Sequence, residues 1–224
     1  MATNPPADTS ANGIPRLGLG TWKNDEPTEC TTAVRTALET GYRHIDTAQI
    51  YTNESAVGTG IASGPVDRDD VFVATKVWID SLGYEDVLET TAESLQRLGL
   101  ERVDLLYVHW PAREYDPTET LAAFNELYDE GTVDHLGVSN FEADQLREAI
   151  EISDAPIVAN QIECHPLFRQ AELRAACDEL GVDCVAYSPL ARGDVFDVPV
   201  LREIAGDHDA SPAQVSLAWL RQRG

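Results

Sequence analysis

The chain has 224 residues and carries 39 acidic side chains against 16 basic ones, a formal net charge of −23. Clustered Lys and Arg, the electrostatic footprint of a nucleic-acid binder, are missing, and no run approaches the ~20 uninterrupted apolar residues of a membrane span. The length suits one domain with a sizeable core, and the 43% hydrophobic content is too high and too periodic for an acidic disordered chain.

Like charge at this density repels itself unless salt screens it. The Debye length falls to ~3 Å at ~1 M salt, so the composition predicts a protein of a high-salt cytoplasm. No basic region followed by an apolar run marks a secretory leader. The four cysteines, Cys30, Cys164, Cys177 and Cys184, form no C-x-x-C pair and read as buried reduced thiols.

Residues 1–12, MATNPPADTSAN, are small, polar and proline-containing and read as a mobile tail ahead of a single domain over 13–224. Asn12-Gly13 suits a two-residue hairpin turn, so a short hairpin is expected before the first strand. Strands are then expected at Leu17–Gly20, Arg43–Asp46, Val71–Lys76, Val103–His109, Val133–Val138, Ile157–Ile162 and Cys184–Ser188. Helices are expected near Thr28–Thr40, Glu54–Ala62, Tyr84–Leu98, Pro117–Asp129, Glu142–Glu151, Gln170–Leu180, Val200–Ala205 and Pro212–Gln222. Pro27, Pro117 and Ser211-Pro212 mark helix starts, and Gly41, Gly99, Gly131 and Gly181 mark left-handed helix ends.

Strict strand–helix alternation leaves a doubly wound sheet or a (β/α)8 TIM barrel. A dinucleotide-binding open sheet wants G-x-G-x-x-G after its first strand, and LGLGTWKN lacks the third glycine in place. The α/β barrel is the expected fold. Catalytic groups in such a barrel sit at the C-terminal strand ends. Here those ends carry Asp46, with Tyr51 five residues on, then Lys76 and His109. Each alone has a plain reading as a turn, packing or core residue. Lys76 is the hardest to dismiss: the chain has only one other lysine, Lys23, and a buried ammonium in FVATKVW is costly without a partner.

GYRHIDTAQIYTNE, FVATKVW, VDLLYVHWP, LGVSNF, NQIECHP, YSPLARG and SPAQVSLAWL resemble, in order, the strand-end motifs of the aldo-keto reductases. The resemblance runs from about Gly13 to the last residue and is nearest the prokaryotic branch that includes 2,5-diketogluconate reductases. It implies NADPH-dependent reduction of a small carbonyl compound or keto sugar, with Tyr51 as general acid. A free tyrosine has a pKa of ~10. Lys76 is expected to lower it, Asp46 to hold and balance the lysine, and His109, neutral, to orient the carbonyl. The resemblance further implies that Ser139, Asn140 and Gln161 meet the nicotinamide carboxamide, that Tyr187 stacks on the ring, and that Ser188 and Leu190 belong to the pyrophosphate loop. Gly20 and Thr21 join the cofactor set, while Trp22, Trp78 and Trp110 wall the substrate pocket. His165 lies at the mouth without an assigned role.

The family pattern continues with an eighth strand–helix unit, which the sequence to Gly224 does not show. Three accounts are open: a piece of a longer protein, a strand supplied by another chain, or a shortened form. A short-chain dehydrogenase would need Tyr-x-x-x-Lys, but Phe72 and Leu19 stand four residues before the two lysines. A metal-dependent barrel hydrolase would want clustered His and carboxylate ligands. The competing reading from another class is a catalytically impaired nucleotide-binding or regulatory relative. A cytoplasmic monomer is expected.

Overall fold

The computed structural model describes residues 8–223. Its seven strands follow one another in order, all parallel: β1 (Gly18–Gly20), β2 (His44–Asp46), β3 (Phe72–Val77), β4 (Leu105–Val108), β5 (Leu136–Ser139), β6 (Ile157–Glu163) and β7 (Asp183–Tyr187). Helices α1 (Pro27–Glu39), α2 (Glu54–Ala62), α3 (Tyr84–Leu98), α4 (Pro117–Asp129), α5 (Ala143–Ile152) and α6 (Ala171–Leu180) alternate with them, and α7 (Pro199–Asp207) and α8 (Pro212–Arg221) follow β7. This is a TIM barrel of seven units, nearly closed. Among the described residues no eighth strand joins β7 to β1.

Local chemistry sets the element ends. The Asp116 carboxylate caps α4 by accepting from the N–H groups of Thr118 and Glu119, with Pro117 in the first turn. Ser211 and Gln214 form a reciprocal capping box on α8. The expected β4 is too long at both ends and the expected β5 at its start. Val103 and Val133 meet only in an isolated parallel bridge. Pairing pauses after them, where the Asp104 carboxylate takes the Val73 N–H (2.8 Å) and the Arg68 guanidinium. β7 stops at Tyr187 rather than Ser188, whose φ of 49° leaves the extended region. Gln170 is left-handed in the same way, so α6 begins one residue later than expected.

Residues 1–7 of the expected tail lie outside the described residues. Asp8–Asn12 are held in a hairpin that runs to Arg16, with Gly13 at φ +83° in its turn. Ile14, at its tip, is buried with Ala74, Leu105, Tyr107 and Ala159 inside the barrel floor. The larger apolar cluster lies between the strands and helices α1 to α6. Inside the barrel Tyr107 fits because Gly137 faces it; a Cβ there would lie 2.6 Å from the ring.

Helix α2 reads AVGTGIA in its middle, a poor helix-forming run. Packing explains it, since a Cβ on Gly58 would sit 2.1 Å from the Leu98 carbonyl oxygen at the end of α3. Gly58→Ala is expected to destabilise the chain by about 1–3 kcal/mol through overpacking. Urea unfolding measures this, and an unchanged midpoint would contradict the close approach.

Candidate active site

Strand alternation points Asp46, Lys76, Ser139 and Gln161 into the C-terminal mouth. Lys76 is fully buried, and its ammonium pairs with the Asp46 carboxylate and donates to the Thr47 carbonyl (2.8 Å). Asp46 uses its second oxygen to accept from Gln161 Nε2 at 2.8 Å. Two strands on one side of the mouth are thereby tied to β6 on the other. Burial lowers the Lys76 pKa, and the Asp46 carboxylate opposes it.

Tyr51 follows β2 in a short 3-10 turn, Gln49–Tyr51, and the Lys76 ammonium lies 5.2 Å from its ring centroid. The His109 ring stands edge-on to both Tyr51 (5.7 Å) and Trp78 (5.0 Å). The expected lowering of the Tyr51 pKa is not found. Burial pushes it above the ordinary phenol value, and the Asp46 carboxylate and Tyr187 push it further. Burial outweighs the pull of the nearby Lys76 ammonium, which is itself paired with Asp46 and the Thr47 carbonyl. His109 is neutral as expected: burial first, then the Lys76 cation, push it down to about 3.

A polar bed lies beside this group. The Ser139 hydroxyl donates to the Gln161 carbonyl (2.9 Å). Asn140 Nδ2 donates to the His109 carbonyl (3.0 Å) and to Ser139 Oγ (2.9 Å), and Asn140 Oδ1 accepts from the Tyr187 phenol at 2.9 Å. Asn140 holds φ 63°, a left-handed conformation that Asn tolerates. Gly20 pairs with Asp46 in the β1–β2 register, and Thr21 donates its N–H (3.0 Å) and hydroxyl (3.1 Å) to the Asp46 carbonyl. After β7, Ser188 closes a tight turn by accepting from the Ala191 N–H, and Leu190 packs against the cluster of Ala191, Val195 and Leu201.

The three tryptophans are placed differently. Trp78 joins the His109 cluster. Trp22 is half-exposed beneath the Lys23 ammonium (4.6 Å) and the Arg192 guanidinium (5.8 Å). Trp110 follows His109 but stands 42% exposed, with no ring contact to the cluster. His165 is buried beside Glu163 (3.5 Å), apart from the Tyr51 group. Two contributors had no signal in the sequence: the Thr47 backbone carbonyl under Lys76, and Gln49, whose side chain accepts from the Trp78 N–H at 2.9 Å.

Residues 16–224 match the aldo/keto reductase family, and the chain belongs to it. It is similar to the 9,11-endoperoxide prostaglandin H2 reductase of Trypanosoma cruzi (strain CL Brener), 44% identical over 94% of this chain and 75% of that protein. It is also similar to the glyoxal reductase of Bacillus subtilis (strain 168), 41% identical over 95% of this chain and 78% of that protein. Among solved structures, a putative 2,5-diketo-D-gluconic acid reductase B superposes with a TM-score of 0.92, at 39% identity, covering 97% of this chain and 77% of that one. An aldo-keto reductase of Bombyx mori in complex with NADP superposes with a TM-score of 0.90, at 35% identity, covering 100% and 82%. The protein is thus an oxidoreductase of the carbonyl-reducing kind, dependent on a nicotinamide cofactor.

Removing one member of a buried ion pair strands the other. Asp46→Ala is therefore expected to cost about 3–5 kcal/mol of stability, read by chemical unfolding; a loss well below this range would mean that Lys76 finds another partner. His109 adds an acid dependence. Its folded pKa lies below the ordinary value of 6.5, so the unfolded chain binds the proton more readily. Its contribution to stability is complete above about pH 6.5 and is lost as pH falls toward 3. NMR titration of the imidazole, showing a neutral ring throughout pH 5–8, checks this.

Proposed function

We propose that the protein reduces small carbonyl compounds with NADPH, using Tyr51 as the proton donor. The observation that carries this reading is the meeting of a protonated phenol, a neutral imidazole and a buried Lys76–Asp46 pair at one barrel mouth. Tyr51 is protonated at neutral pH, and burial raises its pKa further. A carbonyl oxygen that receives negative charge becomes an alkoxide, a stronger base than phenolate, so the proton moves downhill from Tyr51 Oη. His109 orients the carbonyl by hydrogen bonding without adding charge, and Trp78 braces the imidazole through an edge-on contact. Lys76 acts from beneath the phenol, its positive potential favouring the charge that develops as the proton leaves.

The donor set fits a nicotinamide. A hydroxyl, two carboxamides and a phenol ring, from Ser139, Asn140, Gln161 and Tyr187, suit a flat ring bearing an amide. These residues would hold and orient the ring, with Gly20, Thr21, Ser188 and Leu190 toward the pyrophosphate. When bound, the reduced nicotinamide supplies the hydride. NADPH rather than NADH follows the family resemblance and the NADP complex of the Bombyx mori neighbour. Small α-oxoaldehydes head the substrates to test, because relatives carry the names glyoxal reductase and methylglyoxal reductase. Trp22, Trp78 and Trp110 form the pocket wall in this reading.

NADPH consumption with methylglyoxal and with an aromatic aldehyde, at about 1 M KCl to screen the net charge, tests the reading. Tyr51→Phe is expected to lower kcat by about 10²-fold or more with NADPH binding retained. Turnover near the wild-type rate in that variant would exclude Tyr51 as the acid. NADPH binding without turnover in the wild-type chain would favour a binding protein instead.

A further inference from the structure

Asn53 stands at the N-cap position of α2, where an Asn side chain ordinarily accepts from the N–H groups of the first turn. Its side chain makes no such bond. It is 5% exposed and turns its whole hydrogen-bonding capacity the other way. Nδ2 donates to the Thr21 carbonyl (2.8 Å) and the Asn24 carbonyl (3.3 Å), and Oδ1 accepts from the Thr47 hydroxyl at 2.9 Å. The left-handed backbone of Thr52, φ 55°, directs the chain from Tyr51 into this position.

The two carbonyls bracket Trp22 and Lys23. Residues 21–24 form a tight turn closed by the Asn24 N–H on the Thr21 carbonyl (3.1 Å), with Lys23 left-handed at φ 63°. Thr21 is fixed to β2 by its N–H and hydroxyl on the Asp46 carbonyl. Beyond Thr21 the turn relies on Asn53. The third arm reaches Thr47, whose own carbonyl receives the Lys76 ammonium. A side chain this short that donates twice and accepts once must be Asn; Asp cannot donate, and Gln is one carbon longer.

We propose that Asn53 is a positioning residue that sets substrate specificity, clamping the Trp22 turn to the loop that carries Tyr51. It touches no reacting atom and acts through Trp22, the wall the turn presents to the mouth. The proposal rests on the reductase reading for its effect on substrates, while the clamp itself is a statement about Trp22. Releasing it frees the wall to move and weakens substrate binding, leaving the proton donor in place.

Two readouts separate these parts. In steady-state reduction of methylglyoxal and of a bulkier aromatic aldehyde, Asn53→Ala and Asn53→Asp are each expected to raise KM by about tenfold, with kcat within about threefold. The preference between the two aldehydes shifts accordingly. In a Trp22→Ala background, Asn53→Ala adds no further rise, because both substitutions act through one wall. A fall in kcat at unchanged KM, or rises that multiply, would overturn the proposal. The second readout needs no turnover: with Trp78, Trp110 and Trp219 replaced by Phe, time-resolved anisotropy follows Trp22 alone. Asn53→Ala is expected to enlarge its fast rotational amplitude, and an unchanged decay overturns the clamp even where the reductase reading stands. A wild-type chain without turnover, in which Asn53→Ala still loosens Trp22, would sink the reductase reading and keep the clamp. Should neither Asn53 variant fold, Asn53 is a folding residue and the positioning role falls.

Discussion

One buried charge organises the barrel mouth. The Lys76 ammonium lies where no water reaches it, and an unpaired cation there would be intolerable. Asp46 at the end of β2 and the Thr47 carbonyl must therefore stand where they do, and the β2–β3 register, with Asp46 opposite Ala74, brings them there. The same pair decides the state of its neighbours. The cation adds to burial in keeping His109 neutral, while the carboxylate adds to burial in keeping Tyr51 protonated. The two members of the pair thus push in opposite directions on their neighbours, the cation favouring a neutral imidazole and the carboxylate a protonated phenol.

The side chains of the polar bed next to this pair are already bonded to one another. Asn140 bridges His109 to Tyr187, and Gln161 spans from β6 to Asp46. Such a network fixes side chains in advance, which lowers the cost of ordering them around a ligand. It also makes the bed answer as a unit, since a shift at Asn140 is felt by the phenol of Tyr187 and the backbone of His109 together.

Much of this was legible in the sequence. α2, α3 and α4 span the residues expected of them, with Gly99 ending α3 and Pro117 opening α4 as punctuation. Asp46, Lys76 and His109 were locatable because each closes an apolar run, and a lysine in such a run is conspicuous in a chain with so few. What stayed hidden depends on three-dimensional surroundings. The Thr47 carbonyl belongs to every residue type and so carries no signal. Gln49 and Asn53 look like ordinary loop polars until their partners are known, Trp78 for the first and, for the second, Thr21 and Asn24 some thirty residues back together with nearby Thr47. The direction of the Tyr51 pKa turned on how deeply the phenol is buried and on the nearby Asp46 carboxylate, a matter of surroundings that motif spacing cannot convey. Strand ends erred where a side chain or a left-handed residue interrupted pairing, as at Asp104 and Ser188.

The hairpin at the barrel floor has a mechanical meaning. It leads directly into β1, yet it fastens to the far side of the opening. Ser10 donates to Asp183 at the start of β7, Asn12 donates to the Val158 and Gly181 carbonyls, and Asp8 meets Arg221 of α8. The first and seventh strands, which share no ladder among the described residues, are thus linked below, while Ile14 packs into the floor against residues of β3, β4 and β6. The N-terminal hairpin is thus a staple: it ties the β1 end of the sheet to β7 and α8 through side-chain and carbonyl bonds, with no strand pairing between the two.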